Sequence, residues 1–312
     1  MQTQQHPTLY RFLALAIIAV WGFTYISTKI LYAHGLSALD VLTLRTALAY
    51  VLLLAIAPKW LFADTTKDEI KFALLGLVWV PLYYGLEHFA LQATQASTVA
   101  ILLATGPLMT AFIAAIFFRH FCMHFTTVMG LISAATGVFL MWFDNQVMFQ
   151  LDGMASLMAL GAAFCWALYS MMIKTLSGYP LSFIARKAFG YGLLALMPFY
   201  IAQGGTPLAK LADATVVTNL LFLGIVTMTL CAVLWSRVSK EIGIKSASQY
   251  LYWVPVVSAV AALTLLNDQL SFVGIMGAVM ILCGVWVAQY GLKLISVAFA
   301  VGDERLLSNA SF

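Results

Sequence analysis

The sequence predicts an all-α polytopic membrane protein: ten transmembrane helices forming two inverted five-helix repeats. Three observations predict it. Of 312 residues, 63% are hydrophobic and only 9% charged, against about 25% charged in a soluble domain. Stretches free of Asp, Glu, Lys and Arg recur at membrane-spanning length from end to end, and two groups of residues return in the same order about 145 positions later. The scarcity of charge runs throughout, which excludes a globular domain carrying a single anchor.

A bilayer core takes roughly 20 apolar residues per helix. The first stretch, 12–28, follows ten polar residues and has no small-residue cleavage site, so a retained helix is expected and not a signal peptide. The second, 46–58, follows Arg45, and the third, 72–86, is followed by Glu87. The fourth, 88–118, is too long for one helix; its polar QATQAS closes the third helix and opens the fourth. The fifth, 120–143, begins with amphipathic HFCMHFTT, so its helix starts near Phe125. The remaining stretches are 153–173, 188–209, 214–236, 246–267 and 269–292.

Lysine and arginine placement sets the orientation. With the N-terminus inside, thirteen of these residues fall on the inner side: Arg11, Lys59, Lys67, Lys71, Arg119, Lys174, Arg186, Lys187, Arg237, Lys240, Lys245, Lys293 and Arg305. The outer loops receive only Lys210, while Lys29 and Arg45 lie near or within helices. Both termini are therefore expected in the cytoplasm. The net charge of +4 is a topology signal and implies no nucleic-acid partner.

Tryptophan and lysine at Trp21 and Lys29 return at Trp166 and Lys174, and GPLMTAFIAAIFFRH (106–120) is matched by VPVVSAVAALTLLND (254–268), which sets Pro107 against Pro255. Behind each proline comes a glycine pair, Gly130 and Gly137, then Gly277 and Gly284. A duplicated unit of five helices must enter the membrane the second time from the opposite side, an architecture that forms a midplane site between the halves. The expected organisation is a cytoplasmic segment 1–10, repeats 11–145 and 146–292, and a cytoplasmic tail 293–312.

Polar and aromatic residues sharing a helical face inside the spans are the candidates for a lining role. Trp21, Tyr25 and Thr28 follow i, i+4, i+7; Trp166, Tyr169 and Ser170 follow i, i+3, i+4. Belt aromatics belong at the interfaces, so lining is set against plain helix packing. In YYGLEHFA, Tyr84, Glu87 and His88 share a face, and a carboxylate at this depth calls for protein, water or a partner. Near the second proline, Gln249, Tyr250 and Trp253 lie at helical spacing. Pro107 and Pro255 bend matched helices, either as hinges or as structural kinks.

Lys174 obeys the positive-inside rule and snorkels to the inner interface. Lys29 sits near the outer face, where it is either tolerated at a helix end or paired, and Glu87 is its candidate partner for ion pairing or coupling. Arg45, a turn and a half beyond the capping Asp40, reads as a structural pair. The four cysteines (Cys122, Cys165, Cys231 and Cys283) have no CxxC and no nearby histidine, so they are apolar fillers and no metal site is expected. Asn309-Ala310-Ser311 matches a glycosylation pattern but falls in the cytoplasmic tail. No HExxH, GxSxG or Walker loop is present, so neither an enzyme nor an ATP-driven pump is expected, and no cofactor.

Over residues 11–292 the chain resembles the EamA-type branch of the drug/metabolite transporter superfamily. The resemblance is carried by WGFTYISTK with GLSALDVLTLR, by ALQATQASTVAILLATGPLMT, and by ASQYLYWVPVVSAVAALTLLNDQLSFVGIMGAVMILCGV. It implies a central cavity lined by the first, third, fourth, sixth, eighth and ninth helices, with the fifth and tenth packed peripherally. The family usually carries a glutamate thirteen residues after each proline; here those positions are His120 and Asp268, which implies altered local capping or interface contacts and not loss of transport.

The resemblance further implies a secondary transporter in a bacterial inner membrane. Such a protein exports a small organic metabolite, an amino acid or an amphipathic toxic compound, by alternating access. Its partners are the solute, the lipid bilayer and, through Glu87, protons. A uniporter, channel or lipid-facing flippase using the same cavity is the other reading.

Overall fold

The computed structural model describes residues 7–56, 62–117, 125–144 and 151–288. Lys59, Arg119, His120, Cys122, the 145/146 boundary, Lys293, Arg305 and the Asn309 pattern lie outside the described residues. Every regular element among the described residues is helical. Five helices are long and apolar enough to cross a membrane: Thr8–Ala33, Ala38–Ile56, Thr66–Ala93, Gly153–Leu176 and Ala214–Glu241. Shorter apolar helices accompany them. Phe12, Val51, Leu82, Leu194 and Phe199 are exposed on helix surfaces, an arrangement that suits hydrocarbon and not water.

The first helix is already formed at Pro7, the first described residue and earlier than the expected 12. It runs as α1 (Pro7–Gly22) and α2 (Thr24–Ala33), joined at Phe23. Helix α3 (Ala38–Ile56) also starts earlier than its uncharged stretch, because Asp40 takes the amide and hydroxyl of Ser37 at 2.9 and 2.8 Å and Arg45 is buried in its interior.

The third long helix consists of α4 (Thr66–Leu77), a wide-turn segment π1 (Val78–Tyr84) and α5 (Gly85–Ala93). Pro81 lies inside π1, and without an N–H it cannot close an ordinary helical turn. After α6 (Ala96–Leu103) the chain breaks and resumes as α7 (Gly106–Phe117), which places Pro107 in the first turn of the new helix. Helix α8 spans Phe125–Asp144, α9 Leu151–Met172, α10 Leu181–Ala202 and α11 Leu208–Leu211.

The next long helix repeats the wide-turn device as α12 (Ala214–Leu221), π2 (Phe222–Leu230) and α13 (Cys231–Glu241). Here the hydroxyl of Thr229 reaches the carbonyl of Gly224, five residues back, at 3.1 Å. Helices α14 (Ile244–Tyr250) and α15 (Trp253–Leu265) are again separated by a break, just ahead of Pro255. Helix α16 covers Phe272–Ala288.

Packing divides the chain into two compact units. The first takes residues up to 103 and 149–269, the second 104–148 and from 270 onward. In the first, α3 is central, packing on α10 and on π2, while α5 and π1 pack on α9. Gly224 permits the α3 contact: a Cβ there would stand 2.9 Å from the Arg45 carbonyl oxygen and 2.6 Å from Leu48 Cβ. Asp268 accepts from the amide and hydroxyl of Ser97, both at 2.9 Å, and so caps α6 from 171 residues away.

In the second unit, α8 and α16 cross through the two glycine pairs. A Cβ on Gly130 would meet the Gly284 carbonyl oxygen at 2.4 Å and one on Gly137 the Gly277 oxygen at 2.5 Å, with the reciprocal approaches at 2.5 and 2.7 Å. Matching 130 to 284 and 137 to 277 makes the crossing antiparallel. Ser133 donates to the carbonyl of Met280 at 2.9 Å within it.

Candidate functional site

Helix α3 carries the one charged side chain of its inner turns, Arg45, to a point where both wide-turn segments pass. Arg45 is only 4% exposed. Nη1 lies 2.9 Å from Nε2 of His88 on α5, Nε donates to Sδ of Met228 on π2 at 3.2 Å, and Cζ lies 4.7 Å from the ring centre of Tyr84 on π1. His88 Nδ1 lies 2.7 Å from the hydroxyl of Tyr32, which also reaches the His88 carbonyl oxygen at 3.1 Å. One buried cation thus binds α2, α3, α5 and both wide-turn segments into a single polar centre.

Glu87 precedes His88 and is 5% exposed. Its carboxylate interacts with the Tyr83 hydroxyl and lies in the field of Arg45, while Oε2 is buried with no hydrogen-bond partner. Tyr25, Tyr32 and Tyr84 lie within the electrostatic reach of the same carboxylate. Ion pairs among the described residues include His34–Asp213, Lys71–Asp68 and Lys187–Glu69, and the charge of Arg45 acts on Glu87 through space.

An aromatic wall adjoins this centre. Trp79 and Tyr83 of π1 contact Tyr169 and Trp166 of α9 with ring centres 4.5 and 5.4 Å apart, and Trp166 contacts Tyr169 at 5.2 Å. Trp79 also meets Phe189 of α10 at 4.8 Å, and Tyr83 meets Tyr84 at the same distance. Beyond Glu87, the surface between α5 and α9 opens as a groove of about 270 Å³ lined by Phe89, Gln92, Ala93, Met154, Ala155 and Met158.

Of the residues singled out from the sequence, Tyr25, Tyr84, Glu87, His88, Trp166 and Tyr169 come together here. Trp21 does not join the wall; its indole donates to the Thr227 carbonyl at 3.1 Å and its ring packs 5.3 Å from Trp235. Gln249 is exposed, Tyr250 packs beside Ala14, Ile17 and Cys231, and Trp253 is 56% exposed.

Lys29 donates to the Thr94 carbonyl at 2.6 Å, where α5 ends, so a cation stands at a helix carboxyl end. Arg45 is a cation whose charge acts on Glu87. Sequence reasoning treated Arg45 as structural and passed over Tyr32, Trp79, Tyr83 and Met228. A signal for Trp79 and Tyr83 existed: in WVPLYYGLE they stand at i and i+4, and Tyr83 and Glu87 again at i and i+4.

The EamA-like transporter family model matches residues 8–143 and again 153–290. The chain belongs to the EamA-like transporter family. An uncharacterized transporter of Archaeoglobus fulgidus is 26% identical over 296 residues, covering 88% of this chain and 94% of the relative. A probable amino-acid metabolite efflux pump of Escherichia coli is 23% identical over 298 residues, covering 90% and 95%. The EamA-like chain also shares its fold with a crystal structure at TM-score 0.58 and 14% identity, covering 90% of this chain and 98% of that one. As an EamA-like protein it is a multi-pass membrane transporter, and its buried polar centre lies inside long apolar helices of that family's fold.

Proposed function

We propose that this protein is a secondary transporter that exports a small organic metabolite, an amino acid or an amphipathic compound, across the cytoplasmic membrane by alternating access. The observation that carries the reading is the Arg45–His88–Glu87 centre. It is charged, buried, built from separate helices and walled by aromatic rings, at a depth where ionisable groups are costly unless they serve a pathway. The name of the Escherichia coli relative supports export of amino-acid metabolites.

Ten spans in two inverted halves remain the preferred organisation. Supporting it are two consecutive family matches and two wide-turn segments whose starts, 78 and 222, are 222 − 78 = 144 residues apart. The same reading puts both termini in the cytoplasm and the paired helix breaks near Pro107 and Pro255 at hinge positions. Glu87 is the group through which proton movement is coupled to export.

The experiment is solute counterflow in proteoliposomes. A transporter saturates and accelerates uptake of labelled solute against a preloaded interior. A channel sharing the site shows neither behaviour.

A further inference from the structure

Resting on the alternating-access reading and the orientation above, we propose that residues 62–69 and 206–213 are a matched pair of straps that close the inner and outer ends of the protein in alternation. The Glu69–Lys187 ion pair is the catch of the inner strap, and Asp40 with Thr206 is that of the outer one.

The inner strap leads into α4 in the first repeat and is fastened to the start of α10 in the second. Glu69 accepts from Lys187 and from the Tyr191 hydroxyl, and its other oxygen takes the Ala63 amide at 2.8 Å. Tyr179 donates to Asp68 at 3.2 Å and accepts from the Asp64 amide at 3.0 Å. The Lys187 ammonium also lies 5.5 and 5.1 Å from the ring centres of Phe62 and Tyr191. Beneath these contacts is a buried apolar cluster of Phe72, Leu75, Leu176, Phe183, Ile184 and Ala188, with Ala63 and Tyr179 packed against it.

The offset between the two wide-turn segments carries this strap onto its counterpart: 62 + 144 = 206 and 69 + 144 = 213. Residues 206–213 lead into α12 in the second repeat and are fastened around the start of α3 in the first. Thr206 donates to Asp40 at 2.7 Å, Lys210 donates to the Gly35 carbonyl, and His34 and Asp213 lie 3.8 Å apart. Leu211 packs on a second buried cluster, made of Leu31, Leu36, Val41, Val216, Leu220 and Leu223.

Each strap therefore crosses from one repeat to the other at one end and covers an apolar cluster that keeps water out. Opening either end exposes its cluster and releases its strap, and releasing both at once would leave a leak, so the two must alternate. The catches differ in chemistry. The Glu69 and Lys187 side chains are only 20% and 10% exposed, so neutralising the carboxylate leaves a poorly hydrated ammonium without its counter-charge. Thr206 gives Asp40 a hydrogen bond from a neutral hydroxyl.

The test is the labelling rate of single cysteines by a water-soluble maleimide, in the full-length protein in nanodiscs with its four native cysteines changed to alanine. Leu75→Cys reports on the inner cluster and Val216→Cys on the outer one, both positions being buried. Glu69→Gln should raise the rate at Leu75→Cys at least about tenfold and lower it at Val216→Cys at least about twofold. Thr206→Val should move both rates the other way. Exchanging the charges, Glu69→Lys with Lys187→Glu, should restore the parent rates.

A rise at Leu75→Cys with Val216→Cys unchanged is local loosening, and a rise at both is unfolding. Either result overturns the paired straps, as do unchanged rates. Labelling needs no solute, so its outcome is separate from that of the counterflow experiment, whose failure overturns transport.

Discussion

Arg45 and His88, 43 residues apart, are joined by a hydrogen bond of 2.9 Å between Nη1 and Nε2, and that bond determines where the protons of the centre lie. A guanidinium only donates, so Nε2 accepts and the proton of the neutral ring sits on Nδ1. Nδ1–H then donates to the Tyr32 oxygen, leaving the Tyr32 hydroxyl to donate to the His88 carbonyl. All three groups are satisfied by one arrangement of protons.

His88→Ala should therefore lower stability by about 1–3 kcal/mol, since it leaves a buried guanidinium N–H without an acceptor. His88→Gln, which can place a side-chain oxygen near the position of Nε2, should recover most of that loss. Thermal unfolding in detergent measures both, and equal losses in the two variants would show that ring packing and not the acceptor matters.

Trp166 and Trp253 are separated by their surroundings. Trp166 touches Tyr83 and Tyr169 in the wall, whereas Trp253 is more than half exposed. Trp166→Ala should raise the half-saturation of an aromatic solute by about 2- to 10-fold, matching one or two lost ring contacts. Trp253→Ala should stay within about twofold of wild type. Concentration-dependent flux per folded molecule tests the contrast.

The partner of Glu87 is open to the same kind of test. Lys29 donates to the Thr94 carbonyl, and the cation whose field reaches Glu87 is Arg45. Glu87→Gln should flatten the pH dependence of flux. Arg45→Gln should alter that dependence, and Lys29→Ala should lower protein abundance but keep the wild-type pH profile. A profile unchanged in Glu87→Gln removes this carboxylate from proton coupling.

The α8–α16 crossing leaves no room for a side chain at its four glycines. Gly137→Leu should destabilise the protein by about 1–3 kcal/mol or more, because the obstructing atom is a backbone oxygen that cannot rotate away. Gly178, with nothing within 4 Å of a built Cβ, is the control. Retention of the folded peak in detergent chromatography after heating distinguishes the two.

The proposed orientation rests on charge. With the thirteen-to-one lysine and arginine bias, a cysteine replacing Lys210 should react with a membrane-impermeant thiol reagent in intact cells, and one replacing Lys67 should not. Labelling of Lys67→Cys from outside would reverse the assigned topology.

Composition and spacing by themselves determined the helical membrane class and singled out six residues of the candidate centre, while the family was legible through its motifs, because lipid forces nearly every exposed position to be apolar and leaves polar residues conspicuous. Tyr25, Tyr84, Glu87, His88, Trp166 and Tyr169 stand out for that reason alone. The tertiary structure decided their partners. Arg45 meets His88 on α5, and Gly224 lets π2 approach α3 and bring Met228 to the guanidinium, a contact across 183 residues. Lys29, near Glu87 by sequence position, donates to the Thr94 carbonyl at the end of α5. Helical periodicity specifies which residues share a face, but the rotation of each helix and the neighbour it meets depend on the packing of the whole bundle, and that sum over distant contacts has no local signature in the chain.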